Sequence, residues 1–131
     1  MDAKEIYPHL EVAHSFPVGG LRISFTSSLA DKLQDDDALG KKFCDALRHG
    51  FVGVSRGGKP GITVITKDDK DIFRHFKLFR RSPLYDELVR NYGLENPIGV
   101  KIVTHDPRGR RVVGLYDRRT LNAIFYDIDT Y

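Results

Sequence analysis

The segments GVKIVT at 99–104, RVVGLY at 111–116 and NAIFYDI at 122–128 decide the fold of this chain. Each segment is rich in β-branched and aromatic residues, a composition typical of strands in a packed sheet. The connections at 105–110 and 117–120 contain Asp, Pro, Gly and Thr residues, which favour turns. Because short connections rich in turn residues join antiparallel neighbours, the three segments are predicted to form an antiparallel meander.

Two helices are predicted immediately before the meander. In the first, over 69–81, apolar residues recur at helical spacing, and the Arg and Lys residues fall mostly on the other side. The second begins at Ser82 and Pro83, which form a capping serine followed by proline at the first helical position. Gly93 marks its end.

The first half of the chain adds two predicted hairpins with helix between them. Alternating apolar residues indicate one hairpin over 10–26, and a second is predicted over 51–66. A short helical segment over 27–33 precedes a better helix that opens at the aspartates 35–37. We therefore predict an α+β fold with the order ββ-α-ββ-αα-βββ, in which helices pack on one face of an antiparallel sheet. The absence of long linkers and repeats predicts a single domain over 1–131.

Composition excludes several classes of protein. With 40% hydrophobic and 30% charged residues, the chain can bury a core, unlike a disordered tail. No segment reaches the roughly 20 apolar residues of a membrane span, and the first residues contain no apolar signal-peptide region. A single cysteine, Cys44, excludes an internal disulfide framework. We therefore expect a soluble cytoplasmic protein.

Basic residues are concentrated in the second half of the chain. Residues 70–119 contain 12 of the 21 Lys and Arg residues but only 6 of the 18 acidic residues. Such a concentration favours RNA or another polyanion as a partner, because neutralised phosphates release their counterions. The alternative is that these side chains only solvate the surfaces of helices and strands.

The motifs for metal or cofactor chemistry are incomplete. The five histidines are scattered and form no pair with the spacing of metal ligands. The segment 53–59 matches most of a phosphate-binding P-loop, but Pro60 stands where Ser or Thr should bind magnesium. We therefore expect no metal site and no cofactor, and we predict that 57–60 forms the tip of a basic hairpin.

The meander carries the residues best suited to act on RNA. Lys101, His105 and Tyr126 are candidates for moving the proton of a ribose 2′-hydroxyl. Arg111 is the candidate phosphate clamp of the same catalytic site, which would cleave RNA without a metal ion. Other cations are candidates for binding phosphate: Arg56, Lys59, Arg80, Arg81, Arg108, Arg110, Arg118 and Arg119. In the alternative interpretation, the arginines are solvated and the tyrosines pack in the core.

The order and residue types of 69–131 resemble the RelE/ParE-type toxin fold, in which two helices precede a basic, tyrosine-containing three-stranded meander. The resemblance implies a ribosome-dependent mRNA interferase with an antitoxin as its protein partner. It would place Lys101 on the first strand of the meander, Arg111 at the start of the second and Tyr126 on the third. The elements predicted over 1–68 depart from the family pattern, and they indicate either a large elaboration or a different fold.

The residues support three functional hypotheses. The first is a small RNA-directed toxin that acts as a metal-free endoribonuclease. The second is a non-enzymatic module that binds nucleic acid or protein, such as a phage-encoded inhibitor of a host complex, with contacts in the loops 56–60 and 105–111. The third is a domain without a nucleic-acid role, whose sheet mediates homodimerisation. Salt-sensitive binding without a cleavage product would distinguish the second hypothesis from the first.

Overall fold

Six strands and four helices make up most of the part of the chain that the computed structural model describes, which is residues 12–18, 21–49, 61–67, 70–104 and 106–129. In chain order they are β1 (Val12–Val18), β2 (Leu21–Thr26), α1 (Ser27–Gln34), α2 (Asp37–Leu47), β3 (Gly61–Val64), α3 (Lys70–Arg80), α4 (Pro83–Asn91), β4 (Ile98–Val103), β5 (Arg111–Asp117) and β6 (Asn122–Asp129). The order among the described residues is therefore ββ-αα-β-αα-βββ. The predicted order counts the short segment over 27–33 and the helix after it as one helix, whereas the structure has two, α1 and α2. The predicted strand at 51–56 lies outside the described residues.

Side-chain contacts explain where three of the helices begin. Thr26, Asp36 and Ser82 cap α1, α2 and α4. In each case a side-chain oxygen accepts a hydrogen bond of 3.1–3.3 Å from the backbone N–H three residues ahead. These bonds satisfy N–H groups that the start of a helix leaves unpaired, and the predicted start at Ser82 and Pro83 is confirmed. Within the described ranges, no helix is long and apolar enough to cross a membrane.

The six strands form one mixed sheet in the order β1-β2-β6-β5-β4-β3. Because β4, β5 and β6 are antiparallel neighbours, the predicted meander is confirmed. The prediction of a wholly antiparallel sheet is wrong, because β2 runs parallel to β6, from Arg22 opposite Asn122 to Phe25 opposite Phe125. Residue patterns show that a segment is a strand. The relative direction of two strands distant in sequence depends instead on the path of the chain between them.

Helices cover both faces of the sheet, so the prediction that they pack on one face is also wrong. α1 and α2 contribute Leu29 and Phe43 to a core that includes Val112 of β5. α3 contributes Phe76 to a second core, shared with α4, that includes Val113, the next residue of the same strand. Successive residues of a strand point to opposite faces, and a strand that is apolar at both positions therefore requires cover on both sides.

A bulge in β6 brings two backbones close together. The pairing of β5 with β6 shifts between Val113, which lies opposite Asp127, and Gly114, which lies opposite Phe125. Tyr126 is therefore an extra residue in β6. A Cβ atom at Gly114 would lie 2.6 Å from the ring Cδ1 and 2.9 Å from the Cα of Phe125. Glycine alone fits this position without movement of the backbone.

We expect Gly114→Ala to lower the free energy of unfolding by about 1–3 kcal/mol or more, because the added methyl group overpacks the junction of β5 and β6. Gly40→Ala is the matched control, since its nearest heavy atom, the Leu33 carbonyl oxygen, is 3.3 Å from the added Cβ. Within α2, alanine is also the better helix former, which should keep the net change below about 1 kcal/mol. Urea unfolding measures both values, and equal effects of the two substitutions would contradict the prediction.

Candidate nucleic-acid interface

Three of the four predicted catalytic residues lie on the face of the sheet that α3 and α4 cover. Lys101 of β4 lies opposite Val113 of β5, and Arg111, two residues before Val113, shares its face. Tyr126 belongs to the core that contains Val113. The fold therefore places these three residues on one surface of the sheet, whereas His105 lies outside the described residues.

Two of these three residues are buried. Lys101 and Tyr126 expose only 7% and 8% of their surface. The ring of Tyr126 stacks on Phe79 of α3 at a centroid distance of 4.0 Å and on His75 at 6.3 Å. Its hydroxyl group is buried and has no hydrogen-bond partner among the described residues. RNA could therefore reach this hydroxyl only if α3 moved.

The protonation of Tyr126 follows from the same surroundings. Burial, and after it the negative charges of Asp127 and Asp129, raises the pKa of the Tyr126 phenol well above its ordinary value. At neutral pH the side chain is therefore a protonated phenol. In this state it can donate a hydrogen bond, but it cannot act as the general base that removes a proton from a ribose hydroxyl.

Arg110, predicted to bind phosphate, is held by two aspartates. Its Nε and Nη2 atoms each donate to Asp106 at 2.9 Å, and its Nη1 donates to Asp36 at the start of α2. The side chains of Asp106 and Arg110 expose only 2% and 16% of their surface. Hydrogen bonds from the guanidinium group lower the pKa of both carboxyl groups. Arg110 thus fastens the loop between β4 and β5 to α2, and a phosphate would have to compete with two carboxylates.

The other predicted phosphate ligands are exposed but dispersed over three connections of the fold. They lie in the β4–β5 loop, in the β5–β6 turn and at the end of α3: Arg108, Arg118, Arg119, Arg80 and Arg81. Nε of Arg119 lies 3.0 Å from Oε2 of Glu95, so this arginine is already in an ion pair. Arg56 and Lys59 lie outside the described residues.

A continuous basic surface lies on the exposed side of α3. An open groove of about 390 Å³, which we call the basic groove, is lined by Lys67, Phe73, Arg74, Lys77, Leu78 and Arg81. Arg74 and Lys77 are three residues apart in α3 and share one helix face, and Arg81 follows directly after the helix. Among the residues that the structure describes, none of the four cations of the groove has a carboxylate partner. Within the described ranges, the four cations of the groove therefore carry positive charge that no ion pair neutralises.

Sequence reasoning identified only Arg81 of this groove as a phosphate ligand. The signal for Arg74 and Lys77 was the basic side of the predicted helix, but such a side is more often simply solvated. Lys67 lies outside α3, in the connection that follows β3, and joins the groove only through folding. The spacing of basic residues thus indicates a basic helix face, whereas the position of Lys67 and the concave shape of the groove depend on the tertiary structure.

Two acidic residues outside the Arg110 cluster show how such side chains are used in the described part of the chain. Asp127 pairs with Lys32 of α1. Asp117, which is buried, accepts hydrogen bonds from the backbone N–H groups of Glu95 and Arg119 at 3.2 and 2.9 Å. In these same ranges, no group of three or more His, Cys, Asp or Glu residues could hold a metal ion.

No protein-family model matches the chain, and searches of curated proteins and of solved structures find no match either. The relation of 69–131 to the RelE/ParE-type toxins therefore stays a prediction. A function is best inferred from the exposed chemistry of the surfaces described above.

We expect Tyr126→Phe to leave the free energy of unfolding unchanged or raise it by about 1 kcal/mol, because the buried hydroxyl has no hydrogen-bond partner among the described residues. Tyr126→Ala, which also deletes the stacked ring, should lower it by about 3–5 kcal/mol. Thermal and urea unfolding of both variants provide the test. A Tyr126→Phe protein as unstable as Tyr126→Ala would show that the phenol hydroxyl makes an essential contact.

We expect Asp106→Asn to lower the free energy of unfolding by about 1–3 kcal/mol at pH 7, because charged hydrogen bonds to Arg110 are weakened. The folded pKa of Asp106 lies below its unfolded value of about 3.9, so its stabilisation is complete above about pH 5 and is lost as the pH falls. The difference between wild type and variant should therefore shrink between about pH 5 and pH 2. Asp45→Asn, at an exposed position of α2, is the matched control and should change little. A difference that does not vary with pH would contradict this assignment.

Proposed function

We propose that this protein is a non-enzymatic nucleic-acid-binding module, and that RNA or a similar phosphate polymer binds along the basic groove. The observation that carries the proposal is an open surface with four cations and no carboxylate partner among the described residues. Such cations attract a polyanion because each neutralised phosphate releases counterions. Arg110, in contrast, already has two carboxylates as partners. The groove is therefore where a phosphate chain would find cations that have no competing carboxylate in the described part of the chain.

Binding without cleavage is supported by the burial of two of the four predicted catalytic residues, Lys101 and Tyr126. A general acid or base must come within hydrogen-bond reach of the proton that it transfers. The Tyr126 hydroxyl is buried, and Lys101 exposes only 7% of its surface. The endoribonuclease hypothesis keeps one supporting observation, which is that Lys101, Arg111 and Tyr126 share one face of the sheet. We keep cleavage as the alternative that the same experiment tests.

We expect labelled RNA to bind with an affinity that falls steeply with salt, and no product to form with EDTA present. For the four cations of the groove, the logarithm of the association constant should fall with that of the salt concentration with a slope of about −3 on single-stranded RNA. Arg74→Gln and Lys77→Gln should each reduce the magnitude of this slope by about 0.7. Fluorescence anisotropy over a salt series, with gel analysis of the RNA, measures both properties.

Lys41→Gln and Arg48→Gln are matched controls, because they remove the same charge from exposed positions in and just after α2. That helix belongs to the layer on the other face of the sheet, so the controls should keep the wild-type slope. Absence of binding at low salt, or equal slopes for groove and control variants, would overturn the proposal. RNA product that forms in EDTA and is lost in Arg111→Ala would instead support the endoribonuclease.

A further inference from the structure

We infer that the basic groove binds single-stranded nucleic acid, and that an unpaired base packs against Leu78 and Phe73 while the surrounding cations hold the phosphates. This inference rests on the proposed function and specifies its ligand. The inference is based on two apolar side chains in the groove, which binding of phosphate by charge alone would not require. Phe73 and Leu78 line the same groove as Arg74, Lys77 and Arg81.

Leu78 is the first of these apolar groups. It exposes 65% of its surface, and only one other large hydrophobic residue among those described, Leu121 at 47%, is classed as exposed. Leu78 follows Arg74 by four residues, so the two side chains are neighbours on the surface of α3, and Arg81 lines the same groove just after the helix ends. Exposure of a large apolar side chain to water is unfavourable, and contact with the flat apolar face of a base would remove part of its surface from water.

Phe73 is the second apolar group, and it also positions a cation. Its ring is partly buried against the core below α3, and Nζ of Lys77 lies 5.4 Å from the ring centroid. At this distance the ammonium group is attracted by the electrons of the ring. Lys77 is therefore held beside the apolar part of the groove, where a phosphate of the same nucleotide would lie.

This combination discriminates between forms of nucleic acid. In a duplex the base faces are stacked inside, and a protein meets phosphates, sugars and base edges. In a single strand the base faces are free to pack on apolar and aromatic side chains. The groove volume of about 390 Å³ is within the range of small-molecule sites, which suits one unstacked nucleotide. Exposed leucine beside cations therefore favours a single strand over a duplex.

The inference is tested by measuring the affinity of the full chain for probes of matched charge: single-stranded RNA, single-stranded DNA, the corresponding duplex and inorganic polyphosphate. Both single strands should bind at least about fivefold tighter than polyphosphate, the lower end of the gain from one base contact. Leu78→Gln should abolish this preference and leave the salt dependence unchanged. Leu121→Gln, at the other exposed leucine, is the matched control and should keep the preference. Circular dichroism on heating verifies that both variants fold.

The outcomes separate the two proposals. If every probe binds equally and Arg74→Gln still reduces the salt slope, the groove binds polyanions and the inferred base contact is wrong. The inference is also overturned if the duplex binds as tightly as the single strands. It is likewise overturned if an acidic peptide, such as polyglutamate, binds more tightly than the single strands and the duplex. If no probe binds at low salt, the proposed function itself fails. A preference for single strands that Leu78→Gln removes supports both proposals.

Discussion

The apolar residues on both faces of the meander are the constraint on which the rest of the structure depends. In β5, Val112 and Val113 are consecutive and fully buried, and in β6 the same is true of Ile124 and Phe125. Because consecutive strand residues point in opposite directions, burial of all four requires a covering layer on each face. Burial of apolar surface contributes about 25 cal/mol per Å², and a sheet open on one side would lose this contribution there. One helix pair covers each face.

The helices that cover the sheet also determine which polar residues of the strands are buried. Lys101 and Tyr126 lie on the face under α3, and they are buried because their apolar neighbours must be buried. The same helix turns its basic side outward. α3 therefore covers Tyr126 and presents the basic groove, which moves the candidate functional surface from the sheet to the helix layer.

Arginines that the sequence does not distinguish have different roles, because different side chains surround them in the folded protein. The guanidinium group of Arg110 meets Asp36, which is 74 residues away in sequence, as well as the nearby Asp106. Its charge is used to join a loop to a helix start. Arg74 meets no carboxylate among the described residues and lines the open basic groove. The distribution of charged residues along the sequence indicates a class of partner. The ion pairs in the structure show which cations are available to bind that partner.

The sequence by itself determined the local features of this protein: the strands of the meander, the start of α4 at Ser82 and Pro83, and the basic side of α3. Each depends on a periodicity or a cap formed by residues a few positions apart, which a linear pattern records. Only the tertiary structure decided that β2 runs parallel to β6, that helices cover both faces, and that Lys67 joins the basic groove. These features depend on contacts between residues far apart in the chain, and no local pattern specifies which distant surfaces will meet.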